Sequence, residues 1–428
     1  MNGLLTDLYE LTMAAGYLAA GKQAEIGIFE FTIRRLPRNR EFVVVAGLHR
    51  AIEYLLNLRF EPDEIDYLRG LPNFANAPKE FWDYLAAFRF TGDVFAVPEG
   101  SVLYEGQPVL NVRAPLIEGQ IPETYLLSCI TFETLIATKA ARIVHAADHR
   151  EVVEFGTRRA HTPEAGVLGA RAAWIGGCAG TSNTLAGYRY GIPVMGTAAH
   201  SWVMAFDSEI ESFRRLQDLL AHRTVQLLDT YDTLEATRAI SRMDGPLWGV
   251  RIDSGDFLEL SREVRSILDA AGLRSVKIMA SGDLDETKIA DLLAAGAPID
   301  AFGVGTELAV SGDAPSMGSI YKLVEIEDAS GKSRFTAKHS PEKQTLPGAK
   351  QLFRYPAYDL LALHDECAGE AEAMLKPYVL GGSLVADMPS LERIRVRAQA
   401  GLTPWPSRDR KTKLSGGLES LNESLLRH

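Results

Sequence analysis

Four apolar runs in this chain end in residues that could do chemistry. Ile192-Pro-Val-Met-Gly-Thr-Ala-Ala runs into His200, and Pro246-Leu-Trp-Gly-Val runs into Arg251-Ile-Asp253-Ser-Gly-Asp256. Ser275-Val-Lys-Ile-Met-Ala runs into Ser281-Gly-Asp283-Leu-Asp285, and Ile299-Asp-Ala-Phe runs into Gly303-Val-Gly305-Thr306. An imidazole can act as acid, base or phosphoryl acceptor. Paired carboxylates can hold ribose hydroxyls, bind Mg²⁺ or face a developing positive charge. Closely spaced glycines let backbone N–H groups approach an anion, and Thr306 adds a hydroxyl. Four such ends in series read as one active site assembled from successive strands.

Each residue also has a plainer reading. Asp256 and Asp285 precede helical stretches and are favoured N-caps, so capping competes with function there. Glu154-Phe-Gly-Thr-Arg158-Arg159-Ala-His161 ends another apolar run with two adjacent arginines. Guanidinium forks suit carboxylate or phosphate, while a solvated pair is the alternative. Gly180-Thr-Ser-Asn183 precedes a helical run, where its polar groups either meet phosphate or cap the helix. Tyr9, on a helix beginning near Thr6, reads as packing on residue type alone. Lys139 and Arg142 read as a solvated helix face, with phosphate contact as the alternative.

These residues need positioning elements. The first ~110 residues mix helix and strand. Thr6 to Ala20 is predicted helical, Glu25 to Arg34 a strand, and Phe42 to Leu56 passes from an apolar run into a helix. Short strands follow around residues 91–97 and 109–113, then a long helix over Glu123 to Ala147. From there strand and helix alternate, with strands at 151–155, 191–195, 247–252, 276–279, 301–304 and 320–326. Alternation with polar strand ends predicts a parallel α/β architecture. About six strands suit an irregular, incomplete α/β barrel, with a doubly wound sheet as the alternative. The expected organisation is an N-terminal α/β domain over 1–115 and the barrel with the active site over 116–345. A C-terminal region over 346–428 is expected to pack back on the first domain.

The totals narrow the class. The chain has 428 residues, 46% hydrophobic and 24% charged, with a net charge of −11. Such a composition is globular, and the acidic balance without a basic stripe argues against a nucleic-acid partner. Three well-separated cysteines, Cys129, Cys178 and Cys367, exclude a disulfide scaffold or Cys-rich zinc site. Asp7 and Glu10 interrupt the N-terminal apolar residues, so neither a signal peptide nor a membrane span is expected. The expected location is cytoplasmic.

Taken together, these motifs resemble the nicotinate phosphoribosyltransferase family. The matching elements are Thr6-Asp-Leu-Tyr9-Glu-Leu-Thr-Met, Glu154-Phe-Gly-Thr-Arg-Arg-Ala, Thr181-Ser-Asn183-Thr-Leu-Ala and Gly196-Thr-Ala-Ala-His200-Ser. Arg251-Ile-Asp253-Ser-Gly-Asp, Ser281-Gly-Asp283 and Phe302-Gly-Val-Gly-Thr306 complete the series to about residue 325. The resemblance implies that nicotinate and phosphoribosyl pyrophosphate give nicotinate mononucleotide and pyrophosphate, coupled to ATP hydrolysis, in NAD biosynthesis. It implies a homodimer with a shared active site.

Carried over by position, His200 is the histidine that ATP phosphorylates, and Asp253 and Glu154 join it as the expected catalytic set. Tyr9 stacks on the pyridine ring, supplied by the partner subunit. Arg158, Arg251 and Ser201 are candidates for the nicotinate carboxylate. Asp253 and Asp283 hold the ribose, and Gly282, Gly303, Gly305 and Thr306 surround the 5′-phosphate. Phe155, Gly156, Arg159, Asn183, Ser254 and Ser281 complete the expected substrate-binding set. Mg²⁺ arrives mainly on the substrate pyrophosphate, with no protein metal site expected.

Three rival readings share part of this pattern. A nicotinamide phosphoribosyltransferase shares the scaffold and differs in its pyridine. A quinolinate phosphoribosyltransferase should lack His200 and any response to ATP. A non-catalytic phosphometabolite-binding barrel has no reason to keep His200, Asp253 and Asp283 together.

Overall fold

The computed structural model describes residues 3–338, 340, 343–367, 369–407 and 409–426. The chain forms two compact units, Met1–Leu135 with Ser316–His428, and Ile136–Pro315. The boundaries expected at 115/116 and 345/346 therefore fall at 135/136 and 315/316. No described helix is long and apolar enough to cross a membrane.

In the first unit the strand Ile26–Arg35 lies inside a seven-stranded sheet, antiparallel to Pro108–Pro115 on one side and Gly318–Glu327 on the other. Residues 320–326, expected as a late barrel strand, thus belong to this sheet. Tyr321, Val324 and Ile326 are the strand's buried positions, and its register against Ile26–Arg35 shifts by a bulge between Leu323 and Glu325. Phe29, Phe31 and Ile33 share an apolar core with Val112, Leu352 and Leu418. Lys376–Leu380 extends the sheet by pairing with Asp93–Ala96. The C-terminal residues are therefore part of the same core.

A second, four-stranded sheet lies entirely beyond residue 345 and carried no recognisable motif. Its anchor is Asp359, fully buried, which accepts hydrogen bonds from Arg354, Arg410 and Gln107. Burial pushes its carboxyl up, but Arg410 and Arg354 outweigh that and hold it below the usual carboxylate range. The helix Leu8–Ala19 starts at a capping box, in which Glu10 accepts from the Asp7 N–H at 3.0 Å. Glu10 also accepts from Thr124, and burial raises its carboxyl to about 7.

The second unit is built on a six-stranded, all-parallel sheet. In spatial order its strands are Gly180–Thr181, Glu151–Glu154, Ala301–Val304, Lys277–Ser281, Gly249–Ile252 and Val225–Leu227. A single bridge, Thr181 to Val194, lies beyond the first. Among the described residues no ladder joins Val194 to Val225–Leu227. An α/β fold with a parallel sheet is thus present, open in its main-chain hydrogen bonds. Helices return the chain between strands, and several begin at side-chain caps. Asp256 accepts from the N–H groups of Leu258 and Glu259, and Asp285 from that of Lys288. For these two aspartates capping is the observed role.

Lys139 corrects another expectation. It is only 1% exposed, with Nζ 2.5 Å from Glu286 and 2.8 Å from Asp313. Arg142 donates to the other oxygen of Glu286 at 2.9 Å. The helix face that carries them is buried. Removing one member of such a group strands the others, at a cost of about 3 kcal/mol or more. Lys139→Ala should lower the melting temperature by roughly 6–12 °C in a thermal-denaturation scan. A shift below about 2 °C would place this cluster among weak surface pairs.

Candidate active site

The C-terminal ends of the parallel strands open into a cleft of about 420 Å³. Its lining includes His200, Arg251, Asp253, Ser281, Gly282, Asp283, Gly303, Gly305 and Thr306, with Phe155, Arg158 and Arg159. Residues from 155 to 306 in sequence are thereby brought together, as the strand-end pattern predicts. Ser182 and Thr197 also line the cleft, although neither was singled out beforehand.

Arg251 organises the floor. It is 8% exposed, and its guanidinium donates from Nε to Ser281 Oγ at 2.8 Å and from Nη2 to Asp253 Oδ1 at 2.8 Å. Nη1 donates to Thr197 Oγ1 and, at 3.3 Å, to the carbonyl of Ala198. The ring of Phe155 lies 6.0 Å beneath the guanidinium carbon. Most of its donors are thus taken up within the protein.

The bond to Thr197 also reports the shape of the sheet. Five strand steps separate Val194 from Gly249–Ile252, about 24 Å in a flat sheet. The three residues from Val194 to Thr197 span only about 10 Å. The sheet must therefore curl for the contact to form.

Asp253 accepts from Ser281 Oγ as well as from Arg251. Burial alone would raise its carboxyl, but Ser281, Arg251 and the nearby His200 outweigh this and hold it below the usual range. His200 begins the short helix His200–Met204, with Nε2 3.8 Å from Asp253 Oδ2 and Nδ1 3.1 Å from Thr230 Oγ1. Arg158 and Arg159 lie on the 3-10 turn Thr157–Arg159, exposed and without an ion pair among the described residues.

Backbone geometry shapes the end of the cleft lined by Gly282, Asp283 and Gly303. Gly282 has φ +104°, and a Cβ there would collide with the carbonyl oxygen of Asp253. Asp283 follows at φ +46°, a conformation that aspartate tolerates better than most residues. A Cβ on Gly303 would run into the ring of Phe155 at 2.6 Å.

Several expected residues lie behind the lining. Glu154 is 3% exposed and accepts from the Gly156 N–H and from Thr181 Oγ1. Burial raises its carboxyl, and its two bonds tie the Phe155–Gly156 turn to Thr181. Asn183 caps the helix Thr184–Tyr190 through the Ala186 N–H and donates to Thr157. Gly156 is packed against Ala309 and Gly305. Ser254 donates to Asp229 at 2.5 Å, and Ser201 sits exposed in the first turn after His200. Tyr9 is in the other unit, half exposed on the helix Leu8–Ala19.

The strand Val225–Leu227 and the residues after it, Leu228-Asp229-Thr230, were missed. An apolar run ending in Asp-Thr is the same signal as the other strand ends, but only three residues pair as strand.

Residues 4–131 match the nicotinate phosphoribosyltransferase N-terminal domain, and residues 150–331 match the nicotinate phosphoribosyltransferase family domain. Nicotinate phosphoribosyltransferase pncB2 of Mycobacterium tuberculosis is 43% identical, covering 97% of this chain and 90% of its own. The human nicotinic acid phosphoribosyltransferase structure superposes with a TM-score of 0.86 at 28% identity, covering 99% of this chain and all of its own. A Pyrococcus furiosus nicotinate-nucleotide pyrophosphorylase gives 0.78 at 26% identity, over 94% and 95% of the two chains. With family-specific matches across both units and this degree of identity along nearly its whole length, the chain belongs to the nicotinate phosphoribosyltransferase family.

Proposed function

We propose that this protein condenses nicotinate with phosphoribosyl pyrophosphate to give nicotinate mononucleotide and pyrophosphate, serving NAD salvage. We read ATP hydrolysis as coupled to the reaction through a phosphohistidine at His200. The observation that carries the reading is the convergence of His200, Asp253 and Asp283 with the Gly303–Thr306 turn in one cleft. The curl that brings Thr197 to Arg251 supports describing the second unit as an incomplete barrel.

Roles follow from exposure and bonding. Arg251 is largely occupied by Thr197, Ala198, Ser281 and Asp253, so Arg158 and Arg159 are the cations better placed to move onto an incoming anion. Gly282, Gly303, Gly305 and Thr306 suit the 5′-phosphate, and Asp283 the ribose hydroxyls. Asp253, kept ionised, faces the oxocarbenium-like charge that develops at ribose C1. Glu154 and Asn183 act by positioning the turns they hold.

Mg²⁺ supplies neutralisation of the leaving pyrophosphate. Asp253 keeps Oδ2 outside its bonds to Arg251 and Ser281, and Asp283 is exposed in the cleft. Both fit outer ligands of an ion whose other oxygens come from substrate and water. Leu5, Leu8, Tyr9 and Met13 form an exposed apolar strip, which supports coverage by a second copy and thus a homodimer. A cytoplasmic location completes the reading.

The deciding assay supplies phosphoribosyl pyrophosphate, Mg²⁺ and one of nicotinate, nicotinamide or quinolinate, with and without ATP. Nicotinate mononucleotide formation stimulated by ATP, with ADP release, is the expected result. His200→Ala should remove the stimulation; ATP stimulation that survives this substitution rejects the phosphohistidine. Turnover with nicotinamide or quinolinate instead would reassign the pyridine.

The hydroxyl of Ser281 gives a pH test. Because Asp253 is held below the ordinary aspartate range, its charged form persists as pH falls past about 3.9 and is lost only lower. Ser281→Ala removes one of the groups that depress it, so the acid limb of kcat/KM should move to higher pH. An unmoved limb would mean that Asp253 does not set it.

A further inference from the structure

The two nitrogens of His200 face different surroundings. Nε2 is on the side of Asp253, a residue that lines the cleft, at 3.8 Å from Oδ2. Nδ1 is on the side of Thr230, 3.1 Å from its hydroxyl, and Thr230 is not part of the lining. Thr230 follows the edge strand Val225–Leu227. Its hydroxyl can accept a proton from Nδ1 or donate one to it, whereas the 3.8 Å gap on the other side is too long for a hydrogen bond. The only hydrogen bond to the ring among the described residues is therefore the one to Thr230, and the partner of one ring nitrogen decides the state of the other.

We infer that Thr230 is a positioning residue that accepts the Nδ1–H of His200 and so presents the Nε2 lone pair to the cleft as the phosphoryl acceptor. This rests on the phosphohistidine reading and goes further by naming the nitrogen and its support. In the step, the Nε2 lone pair forms a bond to the γ-phosphorus of ATP. The bond from that phosphorus to the bridging oxygen breaks, and its electron pair leaves on ADP. The Nδ1 proton stays on the ring, bonded to Thr230, and the positive charge that the ring acquires faces the carboxylate of Asp253. The Thr230 oxygen, as acceptor, strengthens its bond as that charge forms.

The test uses full-length protein, γ-labelled ATP and Mg²⁺. Phosphorylated protein, ¹⁵N-labelled at histidine, is examined by ¹⁵N and ³¹P NMR, and the rate of acid-labile labelling is compared among wild type, Thr230→Val and Thr230→Ser. The expected result is phosphorus on Nε2, a labelling rate about 10- to 100-fold lower in Thr230→Val, and restoration by Thr230→Ser. Phosphorus on Nδ1 overturns the inference. So does a Thr230→Val protein that labels at the wild-type rate, or a Thr230→Ser protein that falls as far as the valine variant. A wild-type protein that takes up no label at all is a separate failure, because it removes the phosphohistidine reading itself.

Discussion

The burial of one guanidinium organises the candidate site. A cation as enclosed as Arg251 must be paired and hydrogen-bonded, since leaving it alone would cost several kcal/mol. Asp253 supplies the charge, while Ser281, Thr197 and Ala198 take up further donors. These partners come from three stretches of chain, so satisfying one side chain fixes where three loops end. The carboxylate used for pairing is also a cleft carboxylate. Its depressed protonation equilibrium is a by-product of the same bonds.

A second tier of buried groups holds the walls. Glu154 ties the Phe155–Gly156 turn to Thr181, and Asn183 ties the next helix start to Thr157. Phe155, thus fixed, lies under Arg251 and against Gly303, where any larger residue would strike it. Glu154 and Asn183 are thus outside the residues that line the cleft. Both oxygens of Glu154 are engaged by groups of the wall, the Gly156 N–H and the Thr181 hydroxyl.

How much of this was legible depended on the kind of signal. Parallel strands ending in polar residues were readable because each apolar run is short, continuous and closed by Gly, Ser or Asp. The cleft residues His200, Asp253, Asp283 and Thr306 followed directly. Residues 320–326 were misplaced because a strand buried on one face resembles a short core strand when only its apolar positions are considered. The edge strand before Asp229 was missed because three residues give no period. Lys139 was misread because a charged side chain on a helix announces neither the acids opposite it nor its burial. The sheet beyond residue 345 is anchored by Asp359, which pairs with Arg354 on the adjacent strand and with Arg410 fifty-one residues on, the latter a pairing that no local pattern reveals.

The open edge of the parallel sheet has a mechanical consequence. Between Val194 and Val225–Leu227 no strand ladder forms among the described residues, and the gap is spanned by side-chain contacts of Thr197 with Arg251 and of His200 with Thr230. A ladder resists separation along its whole length, whereas a side-chain link can pivot about its rotatable bonds. That gap is thus the compliant part of the sheet. Widening there would swing His200, which follows Thr197 by three residues, away from Asp253 while leaving the six paired strands intact.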